Sequence, residues 1–362
     1  MKIDKINTVA LSVPLERPFT GQRQQPRERI NPVIVQLTTD EGLEAFGLAF
    51  AWNDRQVKSL KASIEDLEYI IIGQDVFHWA EAWQRLYNAT RHMGHHGYGI
   101  YALAAIDTAL WVLRAKALGR PLAHLLGGFR QRVPAYASHL LFRNWSLDDL
   151  QRDAATLVEQ GFKVVKMNMG DKPFKVELER LKAVRQAVGD DVGIMIDVNW
   201  AWSVTDTIKM GREIEKYNVY WLEDPLASDD PAQLAQVADA LDVPIADGET
   251  FCTKYEFRRL IEEGAADILI VDLQRVGGIT EWMKVATMAE AWNLPIASHL
   301  FHDFSVHLVA AIPNGLILEY MPWYDQIYQE PPQVKDGYMD VPDTPGLGLE
   351  LDPEAIKKYE LR

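Results

Sequence analysis

The chain holds almost no cysteine: Cys252 stands alone among 362 residues. An intrachain disulfide is therefore impossible, and the small secreted folds stapled by disulfides are excluded. A buried thiol is the expected role. No stretch approaches the roughly 18 uninterrupted apolar residues that a membrane-spanning helix needs. The N-terminal residues Met1, Lys2, Ile3 and Asp4 alternate in character and do not run basic and then apolar, so no signal peptide and a cytoplasmic location are expected. Positive charge is in deficit as well, with 37 Lys and Arg against 52 Asp and Glu and a net charge of -15. Such a field repels nucleic acid and anionic membrane, and no local basic patch opposes it, so neither is expected as a partner. The acidic excess has a second meaning, because carboxylates gathered at one place hold a cation.

What is present belongs to a globular protein: 48% hydrophobic and 25% charged residues are too apolar for a disordered chain. The length calls for two domains, or for a barrel of about 250 residues with an appendage. Residues 1 to 13 alternate like a strand through Ile3, Ile6, Val9, Leu11 and Val13. Further strands are expected over 33–37 and 43–50, separated by the turn Asp40-Glu41-Gly42, and a polar loop over 16–31 reads as slack surface or a lid. Helical patterns follow over 54–72, 76–91 and 99–118, the last stopped by Gly119 and Pro121. Strands first and helices after make residues 1–125 an α+β domain.

From residue 133 short apolar strands alternate with amphipathic helices. Eight strands are expected, over 133–140, 163–168, 193–199, 220–223, 244–249, 267–273, 295–299 and 316–320. One helix follows the capping residue Ser146 and another, over 174–188, is ended by Gly189. Eight such units over residues 126–320 predict an α/β fold, a (β/α)8 barrel. An open doubly wound sheet should carry a Gly-rich phosphate turn after its first strand, and none follows 133–140. Residues 321–362, rich in Pro and Gly, form a segment that returns to the first domain.

A parallel barrel gathers the C-terminal ends of its strands on one face, so polar residues there share a site. In order these are Lys166 and Asn168, Asp197 and Asn199, Glu223, Glu249, Asp272, His299 and Glu319, with steps of 20 to 27 residues from Asp197 onward. Asp197, Glu223 and Glu249 on consecutive strands crowd three carboxylates that repel one another unless a hard divalent cation intervenes. Oxygen-only ligands favour Mg2+ or Mn2+ over zinc. Asp272 and His299 on neighbouring strands have the logic of a carboxylate that orients a basic imidazole. Lys166 is a snorkelling surface group or a site cation, and Glu319 stabilises developing charge or merely caps the barrel. Together they point to removal of the proton next to a substrate carboxylate, with cation and lysine stabilising the enolate.

These residues resemble the enolase superfamily in its mandelate racemase subgroup. The matching segments are 161–168 (GFKVVKMN), 196–199 (IDVN), 221–225 (WLEDP), 247–249 (DGE), Asp272 with 277–280 (GGIT), Ser298-His299 and 318–320 (LEY). A Lys or His base beside Mg2+ is general to that superfamily. The resemblance implies a modified TIM barrel with an α+β capping domain, whose specificity loops fall here at 16–31 and around Trp52-Asn53-Asp54. It implies a symmetric homo-oligomer too. The family's racemases carry Lys-x-Lys at the second strand, whereas this chain has Lys166-Met167-Asn168, and Asn168 accepts no proton at neutral pH. The family's acid-sugar dehydratases need only the histidine face, so the expected activity is a hydro-lyase acting on a sugar-acid carboxylate to give a 2-keto-3-deoxy acid. An epimerase using Lys166, a cycloisomerase of a sugar-acid lactone or anhydro acid, and a non-catalytic sugar-acid binding protein are the alternatives. Asn168, Asn199, Ser138, Trp52 and His302 are the expected substrate contacts.

Overall fold

The computed structural model describes residues 1–20, 26–227 and 229–361. Four antiparallel strands open the chain: β1 (Ile3–Ala10), β2 (Val13–Thr20), β3 (Pro26–Thr39) and β4 (Glu44–Ala51). β3 is the hub, with β1 and β4 flanking its apolar second half and β2 paired with its first half. The polar 16–31 stretch is thus a two-stranded arm and not a loop, while residues 21–25 of it lie outside the described residues. Its strand character escaped the sequence because only one face is buried, through residues such as Phe19 and Ile30, while the ladder Val13–Ile30 to Thr20–Pro26 needs no apolar side chain.

Helices Asp54–Glu65, Glu68–Ile71, Trp79–Ala89 and Tyr98–Ala117 cover this sheet, the first capped by Asn53, whose Oδ1 accepts from the amides of Arg55 and Gln56. Tyr98–Ala117 is buried on nearly every face, as a helix wedged between two layers must be. It lies so close to β4 that a Cβ on Gly47 would stand 2.2 Å from the Ala105 carbonyl oxygen.

Eight parallel strands then close into a barrel: β5 (Arg132–Ala137), β6 (Val164–Asn168), β7 (Gly193–Asp197), β8 (Val219–Glu223), β9 (Ile245–Asp247), β10 (Ile268–Asp272), β11 (Ile296–His299) and β12 (Gly315–Tyr320). Pairing of β12 with β5 through Leu318–Ala135 and Glu319–Tyr136 completes the closure. All eight expected strands are present. Ser146 caps the helix Leu147–Glu159 in a reciprocal box with Asp149, and Gly189 in the left-handed region ends Phe174–Val188. The barrel interior is filled by Tyr136, Met195, Trp221, Ala246, Ile268, Ile270, Ala297 and Ile317, a packed floor for the polar residues above. Beyond β12 the chain adds the hairpin β13 (Val334–Lys335) and β14 (Tyr338–Asp340) against β5. It ends beside the first sheet, where the Ser12 amide donates to the Tyr359 carbonyl and the Leu361 amide to that of Ala10. Cys252 is buried.

Candidate active site

Strand register places the polar residues. Asn168 stands beside Asp197, Asp197 beside Glu223, and Asp272 beside His299 at the C-terminal ends of their strands. Side chains alternate along a strand, so Lys166 and Asn168 share the inward face that Met167 leaves. Above the floor lies a cavity of about 520 Å3, a volume ordinary for a small-molecule site, lined by Lys166, Asn168, Asp197, Asn199, Glu249, His299 and Glu319 among others. Ser138 and Trp52 line it as well.

Lys166 is the electrostatic centre. Its Nζ lies 2.7 Å from Glu223 Oε1, 2.8 Å from Glu319 Oε1 and 3.8 Å from Asp197 Oδ2. Burial works against its charge, yet Glu223 and Glu319 outweigh it and hold the ammonium well above its ordinary pKa. The carboxylates do not share alike. Burial pushes Glu223 up to about 8 despite Lys166, and it raises Asp197 too. Burial is likewise the largest influence on Glu319, but Lys166 and then His299 overcome it and bring the carboxyl down to about 2. Glu319 Oε2 also accepts from the Leu300 amide at 2.6 Å.

Asp197, Glu223 and Glu249 suit a divalent cation on the structure's own terms. All three carboxylates are buried at adjoining strand ends: Asp197 and Glu223 share Lys166, Glu249 lies against Arg275 and His299, and Asp197 Oδ1 is buried with no hydrogen-bond partner among the described residues. An oxygen-only donor set of this kind fits Mg2+.

The imidazole of His299 is held from two sides. Nδ1 lies 2.6 Å from Asp272 Oδ2 and Nε2 3.2 Å from Glu249 Oε2. Asp272 is fixed in turn by the Arg275 amide, which donates to Oδ1 at 2.7 Å. Burial opposes the imidazolium, but Glu249 and the Asp272 contact more than offset it, and the His299 pKa is raised. With Asp272 on Nδ1, the other nitrogen is directed at Glu249 and the cavity, the arrangement of a base oriented by a carboxylate.

His302 does not join this group. It starts the helix His302–Ala311, is fully buried, and faces Asp325 Oδ1 at 3.0 Å, outside the cavity lining. Three residues after His299 the chain has already turned into that helix, which carries His302 behind the strand ends. Asn168 is occupied as well: its Nδ2 donates to Asp197 Oδ2 at 2.9 Å. Several site residues were not singled out in the sequence. Arg275 Nη1 donates to Glu249 Oε1 at 3.1 Å and to its carbonyl at 3.0 Å, Trp221 Nε1 donates to Glu223 Oε2 at 2.9 Å, and Arg27 and Arg143 line the cavity. Arg275 stands on the one-turn helix Leu273–Val276 that follows Asp272, and no spacing in the sequence sets it apart from other residues beyond a strand end. Asp224, next to Glu223, has both oxygens buried without a partner among the described residues, and burial with Asp247 nearby raises its carboxyl well above the usual range.

Comparison with known proteins places this geometry. Residues 5–127 match the mandelate racemase / muconate lactonizing enzyme N-terminal domain, and residues 149–355 match the enolase C-terminal domain-like family. L-talarate/galactarate dehydratase of Salmonella typhimurium is 33% identical, over 99% of this chain and 92% of its own. 3,6-Anhydro-alpha-L-galactonate cycloisomerase of Streptomyces coelicolor is 29% identical over 98% of each. The crystal structure of L-talarate dehydratase from Polaromonas sp. JS666, complexed with Mg and L-glucarate, superposes with a TM-score of 0.94 at 32% identity, covering 100% of this chain and 98% of the other. By fold, matched domains and relatives, the chain belongs to the mandelate racemase / muconate lactonizing enzyme family of the enolase superfamily.

Proposed function

We propose that the protein is a Mg2+-dependent acid-sugar dehydratase. It removes the proton next to the carboxylate of a sugar acid and expels the neighbouring hydroxyl as water, leaving a 2-keto-3-deoxy acid. The observation that carries this reading is the His299–Asp272 pair at 2.6 Å, with His299 on the wall of a cavity where Lys166, the nearby lysine, is locked among carboxylates. Relatives that dehydrate sugar acids, and a superposable structure holding Mg and a sugar acid, support it.

Asp197, Glu223 and Glu249 hold the cation, which when bound supplies positive charge to the substrate carboxylate. His299 takes the C2 proton on Nε2 while Asp272 keeps Nδ1 in place and stabilises the imidazolium that forms. Lys166 remains an ammonium throughout and offers its N–H groups to the oxygen on which negative charge develops. Glu319, a carboxylate tied to Lys166 and the Leu300 amide, fixes that lysine. The imidazolium then returns its proton to the departing C3 hydroxyl. Two-base racemisation has no comparable support, since the position of the family's second lysine is Asn168, an amide bonded to Asp197.

The test is a panel of aldonates and aldarates incubated with the protein and Mg2+ in D2O and followed by NMR. Expected are loss of the C2 proton signal and appearance of a 2-keto-3-deoxy acid, with turnover reduced at least about 100-fold in His299→Asn. A product that keeps all its hydroxyls, as an isomerase gives, or full activity in His299→Asn, sinks the proposal.

A further inference from the structure

Four cationic side chains line the cavity, and three of them are paired. Lys166 sits among Glu223 and Glu319, Arg275 lies 3.1 Å from Glu249, and Arg143 holds Asp171 at 3.3 Å while donating to the Val198 carbonyl. Arg27 differs. Among the described residues it forms no ion pair, and its one hydrogen bond runs from Nη1 to the Trp52 carbonyl at 3.1 Å. Its guanidinium carbon stands 5.0 Å from the centroid of the Trp52 ring. A guanidinium has five N–H donors in a fork that matches a carboxylate, so most of this one's capacity is unspent.

Its surroundings sharpen the point. Arg27 is half-buried, and the loss of water lowers its pKa, so the charge is held in a place that water alone does not fully satisfy. It belongs to β3 in the first sheet, whereas Lys166 and His299 belong to the barrel strands. The cavity therefore carries a cationic group on each of the two structural units that enclose it. In a protein of net charge -15 this arginine faces the site without an acidic partner among the described residues, and the ligand that answers it is an anion.

We infer that Arg27 is a second anion subsite, reading a carboxylate at the end of the substrate remote from the reacting carbon, so that the preferred sugar acid is a diacid. This rests on the sugar-acid reading above. The reacting carboxylate is taken at the barrel strand ends, the polyol chain spans the cavity, and the far carboxylate accepts two N–H bonds from Arg27 while Trp52 supports the guanidinium face. An acid ending in a neutral CH2OH leaves that cation without a counter-charge.

The experiment compares galactarate with galactonate and glucarate with gluconate, each pair differing only at the terminal carbon. Binding to the Mg2+-supplemented protein is measured by calorimetry, and kcat/KM is measured for every acid that turns over. In the unaltered protein at least one diacid is expected to bind tenfold or more tightly than its monoacid. Arg27→Gln is expected to reduce that ratio tenfold, through KM and not kcat, and Arg27→Lys to keep part of it. Because the ratio is taken within one protein, loss of folded material cancels. Equal or weaker diacid binding in the unaltered protein, no binding of either class, or a preference that survives Arg27→Gln overturns the subsite. Diacid preference without loss of water overturns the dehydratase chemistry alone.

Discussion

At the residue scale the site divides into groups that face the cavity and groups that hold them. Asp272 is nearly fully buried, does not line the cavity, and reaches the chemistry only through His299 Nδ1. Replacing it by Asn keeps the shape and removes the charge that stabilises the imidazolium. Asp272→Asn is expected to lower kcat by about 10²–10⁴-fold, with KM for the substrate changed by less than about threefold. Steady-state kinetics decide it, and a change confined to KM would place Asp272 against the substrate instead. Glu223 makes a different case. Its carboxyl is pushed up to about 8 mainly by burial, and a bound cation relieves that burial cost. Glu223→Gln removes the charge but keeps a side chain of the same length, so Mg2+ affinity measured by calorimetry should fall at least tenfold while circular dichroism stays unchanged. Unaltered affinity would mean that the cation is held elsewhere.

At the element scale the sequence was most legible where chemistry and period coincide. Asp197, Glu223, Asp272 and His299 each end a strand, Glu319 stands one residue before the end of its own and Glu249 two residues beyond the end of β9, and a barrel gathers all these ends on one face, which is what their spacing reflects. His302 shows where this fails: it shares the neighbourhood of His299 in sequence but opens the following helix, where its ring faces Asp325 outside the cavity lining. The 16–31 arm escaped for another reason, since backbone pairing leaves no mark on residue type. Gly277-Gly278-Ile279-Thr280 was legible only as part of a resemblance, and the structure gives it a physical role. The Thr280 amide and hydroxyl both donate to Asp107, at 2.8 and 2.6 Å, and so fasten the helix Tyr98–Ala117 to the barrel. Gly278 stands at φ +87°, and a Cβ there would lie 2.6 Å from Asp107 Oδ2. Gly278→Ala therefore meets both backbone strain and a steric clash. It should cost on the order of 2 kcal/mol or more and lower the melting temperature by several degrees. A melting temperature equal to that of the unaltered protein would show that the two layers are not fastened at this point.

At the scale of the whole molecule three distant stretches meet on one imidazole. His307, fully buried in the helix that follows β11, accepts the Ala123 amide on Nδ1 at 3.3 Å and donates Nε2–H to the Leu347 carbonyl at 2.9 Å. This joins the short helix Leu122–Leu126, the helix after β11 and the returning tail, and it requires the neutral tautomer with its proton on Nε2. A second proton would set an N–H against the Ala123 amide. Burial is the main cause that brings the His307 pKa down to about 4, and the half-buried His139, its ring against Tyr320, is brought down to about 4 by loss of water as well. Both folded values lie below the ordinary 6.5, so as pH falls the unfolded chain binds protons before the native one. The stabilisation from keeping these rings neutral is complete above about pH 6.5 and is lost progressively as pH falls through the folded value near 4. Each shift corresponds to roughly 3 kcal/mol over that window. Denaturant unfolding at pH 7.5 and at pH 4.5 tests the claim by comparison with His307→Gln, which has no proton to gain. The variant is expected to start less stable at pH 7.5 and to lose less on acidification, the difference in loss being about 2–3 kcal/mol. Equal losses in the two proteins would remove His307 from the acid response and leave the joint between tail and barrel to packing alone.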